Sequence, residues 1–94
     1  MIDGMGQFKF RRGIRLSYER QGYIYFLCRR FGTLPKEQRD AIRALCRSAG
    51  GQYERALWRC VTTGAGMQRI CNEEHVSTAT LYRCLKRFYE GFPL

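Results

Sequence analysis

Histidine, proline and lysine are scarce in this chain. It has one histidine, His75, and two prolines, Pro35 and Pro93. With a single histidine, no nucleophile elbow and no phosphate-binding glycine loop, the catalytic constellations that can be read from sequence are missing. An enzyme is therefore not expected, and no cofactor. The five cysteines, Cys28, Cys46, Cys60, Cys71 and Cys84, are odd in number, widely spaced and without a CxxC pair. That spacing fits neither a disulfide framework nor a zinc finger. All five are expected to be reduced and metal-free, serving as small buried residues on the apolar sides of helices. Cys71 and His75 lie four residues apart, but two potential ligands do not make a metal site, so His75 reads as a turn residue. No apolar run approaches the roughly 20 residues of a membrane span, and the first residues lack the continuous apolar segment of a secretory signal. The expectation is a cytoplasmic chain with no membrane partner.

Acidic residues are also few, eight against 17 basic ones, which leaves a net charge of +9. A balance of this size suggests a polyanion as partner; the plain alternative is a basic but indifferent surface. Three of the 17 are lysines (Lys9, Lys36, Lys86) and the other 14 are arginines. The guanidinium fork suits phosphates and guanine edges better than an ammonium does. Apolar residues make up 45% of 94 residues, enough for the core of one domain.

Residues 1–13 combine glycines with the basic-aromatic stretch Phe8-Lys9-Phe10-Arg11-Arg12. They read as a flexible basic arm, with a short strand through residues 7–11 as the alternative because apolar and polar residues alternate there. Residues 14–94 read as a single helical domain. Ser17 is placed to cap a first helix running to about Phe31, with Ile24, Leu27, Cys28 and Phe31 as its buried stripe and Gly32 as its stop. Gly22 and the β-prone run Tyr23-Ile24-Tyr25-Phe26 weaken that helix on propensity alone. Pro35 at a first-turn position, with Glu37 near the positive helix end, starts a second helix. Its inward residues are Ala41, Ile42, Leu45, Cys46 and Ala49, and Gly50-Gly51 ends it. A third helix over residues 52–62 carries Tyr53, Ala56, Leu57, Cys60 and Val61, with Trp58 off that stripe and expected to pack as a core aromatic against the first helix or the arm. Gly64-Ala65-Gly66 then breaks the chain.

The last third carries the functional signal. Residues 67–90 read as two short helices around a tight turn, with Ile70 and Cys71 inward on the first, Val76 plugging the turn and Ser77 capping the second. At about 100° per residue, Leu81, Cys84, Leu85 and Phe88 cluster on one side of the second helix. Ala79, Tyr82, Arg83 and Lys86 cluster on the other. At the stop, Gly91 is expected in the left-handed cap conformation, Phe92 folded back onto Phe88, and Pro93 preventing continuation.

The run Ile-Cys-x-x-x-x-Val-Ser-x-x-Thr-Leu-Tyr-Arg, from Ile70 to Arg83, resembles the helix-turn-helix of sigma-factor region 4 and of related small phage and mobile-element regulators. Leu34-Pro35 followed by Glu37 and Arg39 is similar to the segment that opens region 4. The strong part covers about a quarter of the chain. The resemblance implies an all-α bundle of four to five helices ending in a helix-turn-helix at residues 67–90. It also implies a sequence-specific DNA-binding protein, a transcriptional regulator of phage or mobile-element type, that reads the major groove with helix 78–90. Its partner is then double-stranded DNA, with RNA polymerase or another transcription protein as a further one. Three departures stand out. Glu74 sits where the family has an apolar residue. His75 replaces the turn glycine, so it must accept a positive φ or the turn must differ. The stretch between Pro35 and the motif is longer than in region 4, leaving room for the helix with Trp58. The DNA-binding head carries over; the sigma activity does not.

The candidate DNA-facing residues are Ser77, Thr78, Ala79, Thr80, Tyr82, Arg83, Lys86 and Arg87, with Thr80 and Arg87 at the flanks. Lys9, Arg11, Arg12 and Arg15 are the candidate arm contacts, since basic arms can enter a minor groove. Residues 67–90 carry four basic and three acidic residues, whereas residues 1–31 carry seven basic and two acidic ones. Most of the excess charge therefore lies upstream of the reading head. The alternative is a protein-interaction module that keeps the helix-turn-helix shape without binding DNA, and RNA binding is a weaker third. Ile42, Leu45, Leu57, Ile70, Val76, Leu81, Leu85 and Phe88 are the expected core.

Overall fold

The computed structural model describes residues 8–93. The fold is all-α, with five helices: α1 (Tyr18–Arg29), α2 (Lys36–Gly50), α3 (Glu54–Thr62), α4 (Met67–Glu74) and α5 (Thr78–Glu90). Single 3₁₀ turns, Phe31–Thr33 and Gly51–Tyr53, precede α2 and α3. There is no strand among the described residues. The strand weighed for residues 7–11 is therefore not formed by residues 8–11, whose alternation reflects aromatic rings docked on one side.

Each helix follows from its local chemistry. Ser17 Oγ accepts the Arg20 amide at 3.2 Å and so opens α1. The buried stripe of α1 is Gln21, Ile24, Leu27 and Cys28, at the spacing of one helical face. α1 stops at Arg29, short of Phe31, because Phe31 begins the 3₁₀ turn. Phe31 still packs, edge-on against Trp58 with ring centroids 4.5 Å apart. Pro35 stands just before α2, whose end falls at Gly50. Gly51, at φ 55° and ψ −128°, occupies a backbone region that favours glycine, so the Gly50-Gly51 stop has a conformational cause. At the other end of the chain Gly91 is not left-handed: its φ is −91°. Its amide still reaches Arg87 O, and the Phe92 amide takes Tyr89 O at 3.2 Å. The helix thus tightens to its end rather than reversing hand. Phe92 does return to Phe88, with centroids 5.8 Å apart.

α3 packs against all four other helices, and α5 packs against α2, α3 and α4. Leu81, Cys84, Leu85, Phe88 and Tyr89 of α5 are buried, as are Ile42, Cys46, Leu57, Ile70 and Val76. Burying side chains of this size stabilises by about 1.5–3 kcal/mol each. Leu45, expected in the core, is only half-buried; it sits at the edge of α2 in a shallow groove with Phe92 and Pro93.

The largest departure concerns the arm. Residues 8–13 lie against α1; the rest of the expected arm is outside the described residues. The Phe8 ring meets Tyr18 and Tyr25 at 5.4 and 5.3 Å. Ile14 is buried. Gln21, the one buried polar side chain among the described residues, ties this segment down. Its Oε1 accepts the Arg11 amide at 3.0 Å, and its Nε2 donates to Arg11 O, Ile14 O and Leu16 O at 3.0–3.3 Å. Such a network is costly to half-satisfy, since each orphaned buried group forfeits roughly 1–3 kcal/mol. Gln21→Leu keeps the volume and removes every bond. It is expected to unlatch residues 8–16 and to open the Arg11 and Arg12 peptide bonds to trypsin at least several times faster than in the parent, while far-ultraviolet helicity stays near the parent value. Cleavage at the parent rate would show that the segment is held by something else.

Candidate nucleic-acid interface

The last two helices form a compact two-helix unit. Gly66 precedes α4, whose Ile70 and Cys71 are buried. α4 ends because His75 adopts φ 57° and ψ 50°, the left-handed region that histidine enters more readily than most residues. The His75 amide and the Val76 amide both turn back to Cys71 O. The turn is thus made without a glycine, and Val76 is buried in the corner. Ser77 then caps α5. Its Oγ accepts the Thr80 amide at 3.1 Å and donates to Thr80 Oγ1 at 2.9 Å.

With the apolar side of α5 buried, the opposite side faces outward. Ser77, Thr78, Ala79 and Arg83 are exposed; Thr80, Tyr82 and Lys86 are half-buried. Arg83 Nη2 reaches Thr80 Oγ1 at 3.3 Å, a weak tether that leaves the rest of the guanidinium free. Lys86 pairs with Glu90 through Nζ at 2.9 Å. Glu90 also accepts the Arg15 amide at 2.8 Å, and that bond, followed by Lys86, holds its carboxyl below the ordinary range. Arg87, a flank candidate, is bonded away from this face: its Nε donates to Ala49 O at 3.0 Å, satisfying a carbonyl at the end of α2.

The two sets of candidate residues, distant in sequence, meet here. The Arg11 guanidinium lies 5.9 Å from the Tyr82 ring centroid. Gly13 sits against the Tyr82 hydroxyl so closely that a Cβ at position 13 would collide with it. Arg12 and Arg15 are exposed in the same segment, and the Arg15 backbone is fastened to Glu90. Basic residues of the docked segment thus continue the surface that α5 begins. Lys9, also exposed, lines a cavity with Arg11 instead.

Two departures from the family pattern have a shared cause in α3. Glu74 is mostly buried, its carboxylate taken by Arg59 Nη1 at 3.0 Å and Arg55 Nε at 3.3 Å. Glu73 accepts Arg59 Nη2 at 2.6 Å and Arg69 Nε at 3.2 Å. The arginines Arg59 and then Arg69 hold the Glu73 carboxyl below its ordinary range. The longer stretch before the motif supplies the helix whose arginines make an acidic residue tolerable at position 74. Sequence reasoning missed Arg55 and Arg59, although their four-residue spacing put both on one side of α3. On its other side Arg43 lies over both Phe31 and Trp58, at 5.3 and 5.0 Å, so Trp58 is a half-buried anchor between α1's end and α2.

The cysteines are free thiols. Burial pushes Cys28 and Cys46 up to about 12, which makes them unreactive at neutral pH. Among the described residues no three His, Cys, Asp or Glu side chains gather as a metal site, and no helix is long and apolar enough to cross a membrane. No protein-family model, no curated protein and no solved structure matches the chain.

The Arg59 network has a direct test. Arg59→Ala leaves Glu73 and Glu74 side by side with their shared partner gone. It is expected to lower the melting temperature clearly more than Lys36→Ala, which removes only the exposed pair with Asp40. Equal, negligible effects would show that α4 is held by apolar packing alone.

Proposed function

We propose that the chain is a sequence-specific DNA-binding protein, a transcriptional regulator of phage or mobile-element type, acting in the cytoplasm and without catalysis. α5 is the helix that enters the major groove. The observation that carries this reading is the two-sidedness of α5: one side buried, the other open at its start, with a sharp turn and a capped first turn presenting Thr78, Ala79 and the cation of Arg83. A helix set in this way can bring its first turns to base edges while arginines reach phosphates. The docked segment adds Arg12 and Arg15 as backbone contacts. The acidic residues of the head do not oppose this, because Glu73 and Glu74 are already engaged by Arg55, Arg59 and Arg69. RNA polymerase or another transcription protein is the natural second partner of such a regulator.

A second reading, a protein-interaction module of the same shape, has one observation in its favour. Phe10, Tyr18, Tyr23 and Phe26 are large apolar residues with 40–64% of their surface exposed around α1.

One set of measurements separates the two. Arg83→Ala should leave the melting temperature nearly unchanged, because Arg83 lies opposite the buried stripe. If Arg83 reads a guanine, the substitution costs about 1–3 kcal/mol of affinity on the preferred duplex and relaxes specificity there. The Arg12→Ala, Arg15→Ala double variant should weaken binding evenly across sequences and flatten the salt dependence by about one unit per lost phosphate contact. If all these variants bind every duplex as the parent does, the interaction-module reading replaces this one.

A further inference from the structure

A cavity of about 800 Å³ lies beside the reading head, between the segment before α1, α1 itself, the connection into α4 and α5. Its walls include Lys9, Arg11, Arg29, Tyr25, Tyr89 and Gly66, and no Asp or Glu. None of the three cations has an ion-pair partner among the described residues. Other cations, Arg83 among them, are also unpaired among the described residues, so what sets these three apart is that they share one recess. Three like charges around one enclosure repel one another, and an anion between them removes that repulsion.

Arg29, like Arg11, is half-buried. Its guanidinium stacks on the Tyr25 ring at 4.2 Å, which fixes its plane. Its Nε is buried and is the one buried side-chain nitrogen or oxygen among the described residues with no hydrogen-bond partner. A Cβ on Gly64 would stand 3.8 Å from its Nη1, so the guanidinium borders the Gly64-Ala65-Gly66 connection. α4 begins at that connection with no side-chain cap, so its first amides join the same wall as unfilled donors. Burial raises both the Cys60 thiol and the Tyr89 hydroxyl above their ordinary values, and Arg11 and Arg29 oppose it at both.

We infer that this cavity binds a small phosphate-bearing ligand of about nucleotide size, its phosphate held between Arg29, Arg11 and Lys9 and the start of α4. A phosphate monoester carries close to two charges and three acceptor oxygens, which matches several separate donors better than a carboxylate does. The volume falls in the range of small-molecule sites, and the tyrosine rings, Met67 and Leu85 supply apolar walls for the rest of the ligand. The site does not depend on α5 reading DNA.

The test is a titration of the full chain, labelled with ¹⁵N, with adenosine monophosphate and separately with inorganic phosphate, at constant ionic strength. Saturable shifts are expected at the amides of Gly64, Gly66 and Met67 and at Arg29 Nε–H, with the nucleotide binding more tightly. Arg11→Gln and Arg29→Gln should each weaken binding by roughly tenfold or more, as loss of a charge-assisted hydrogen bond does. Arg47→Gln, at a distance from the cavity, should not. The Arg11 side chain makes no hydrogen bond among the described residues, so Arg11→Gln remains informative if Arg29→Gln fails to fold. Shifts that potassium chloride reproduces, or phosphate binding unchanged in Arg11→Gln, would overturn the proposal. So would signals that move only with duplex DNA.

Discussion

The buried stripe of α5 is the contact on which the rest of the molecule depends. Leu81, Cys84, Leu85, Phe88 and Tyr89 are buried, and α2, α3 and α4 all pack directly on this helix. A chain of 94 residues has little stability to spare, and five buried residues on one helix are a large share of its core. That seat also sets the rotation of α5 about its axis. Arg87, fixed to Ala49 O, locks the same rotation from the flank. The open side is therefore a consequence of the packed side. Thr78, Ala79 and Arg83 face outward because Leu81 and Leu85 face inward.

A second constraint works on the segment before α1. Gln21 gathers three carbonyls and one amide of residues 11–16 around a single buried side chain. This converts a basic stretch into a fixed ridge beside α5 and closes one wall of the cavity holding Lys9, Arg11 and Arg29. Two surfaces with cationic character then lie side by side, one built on a helix and open, one recessed.

The parts of the structure legible in the sequence were those governed by period and by local turn chemistry. The helical recurrence of Leu81, Cys84, Leu85 and Phe88 gives the orientation of α5 directly, and Ser77 and Gly51 mark helix boundaries by capping and backbone preference. At His75 the sequence left open a positive φ or a different turn, and the residue takes the positive φ. What was hidden depends on partners far apart in the chain. Gln21 looks like any polar residue of an amphipathic helix until the carbonyls of Arg11, Ile14 and Leu16 are placed around it. Glu74 looks like a breach of the motif until Arg55 and Arg59 arrive from α3. Leu45 fits the stripe of α2, yet it sits at the rim because the end of the chain covers it only in part. The candidate site divides in the same way: the outward placement of Ala79 and Arg83 was readable from helical angle alone, whereas the commitment of Arg87 to α2 and the approach of Gly13 to Tyr82 were not.

The central claim is that the outer side of α5 meets DNA bases. The most direct measurement is selection of duplexes from a random pool by the intact chain, followed by photocrosslinking from a probe placed at Ala79 and, for comparison, at the exposed Ser48 of α2. The account predicts an enriched sequence and crosslinks from position 79 to bases within it, with none from position 48. No enrichment, or crosslinks as strong from position 48 as from position 79, would contradict it.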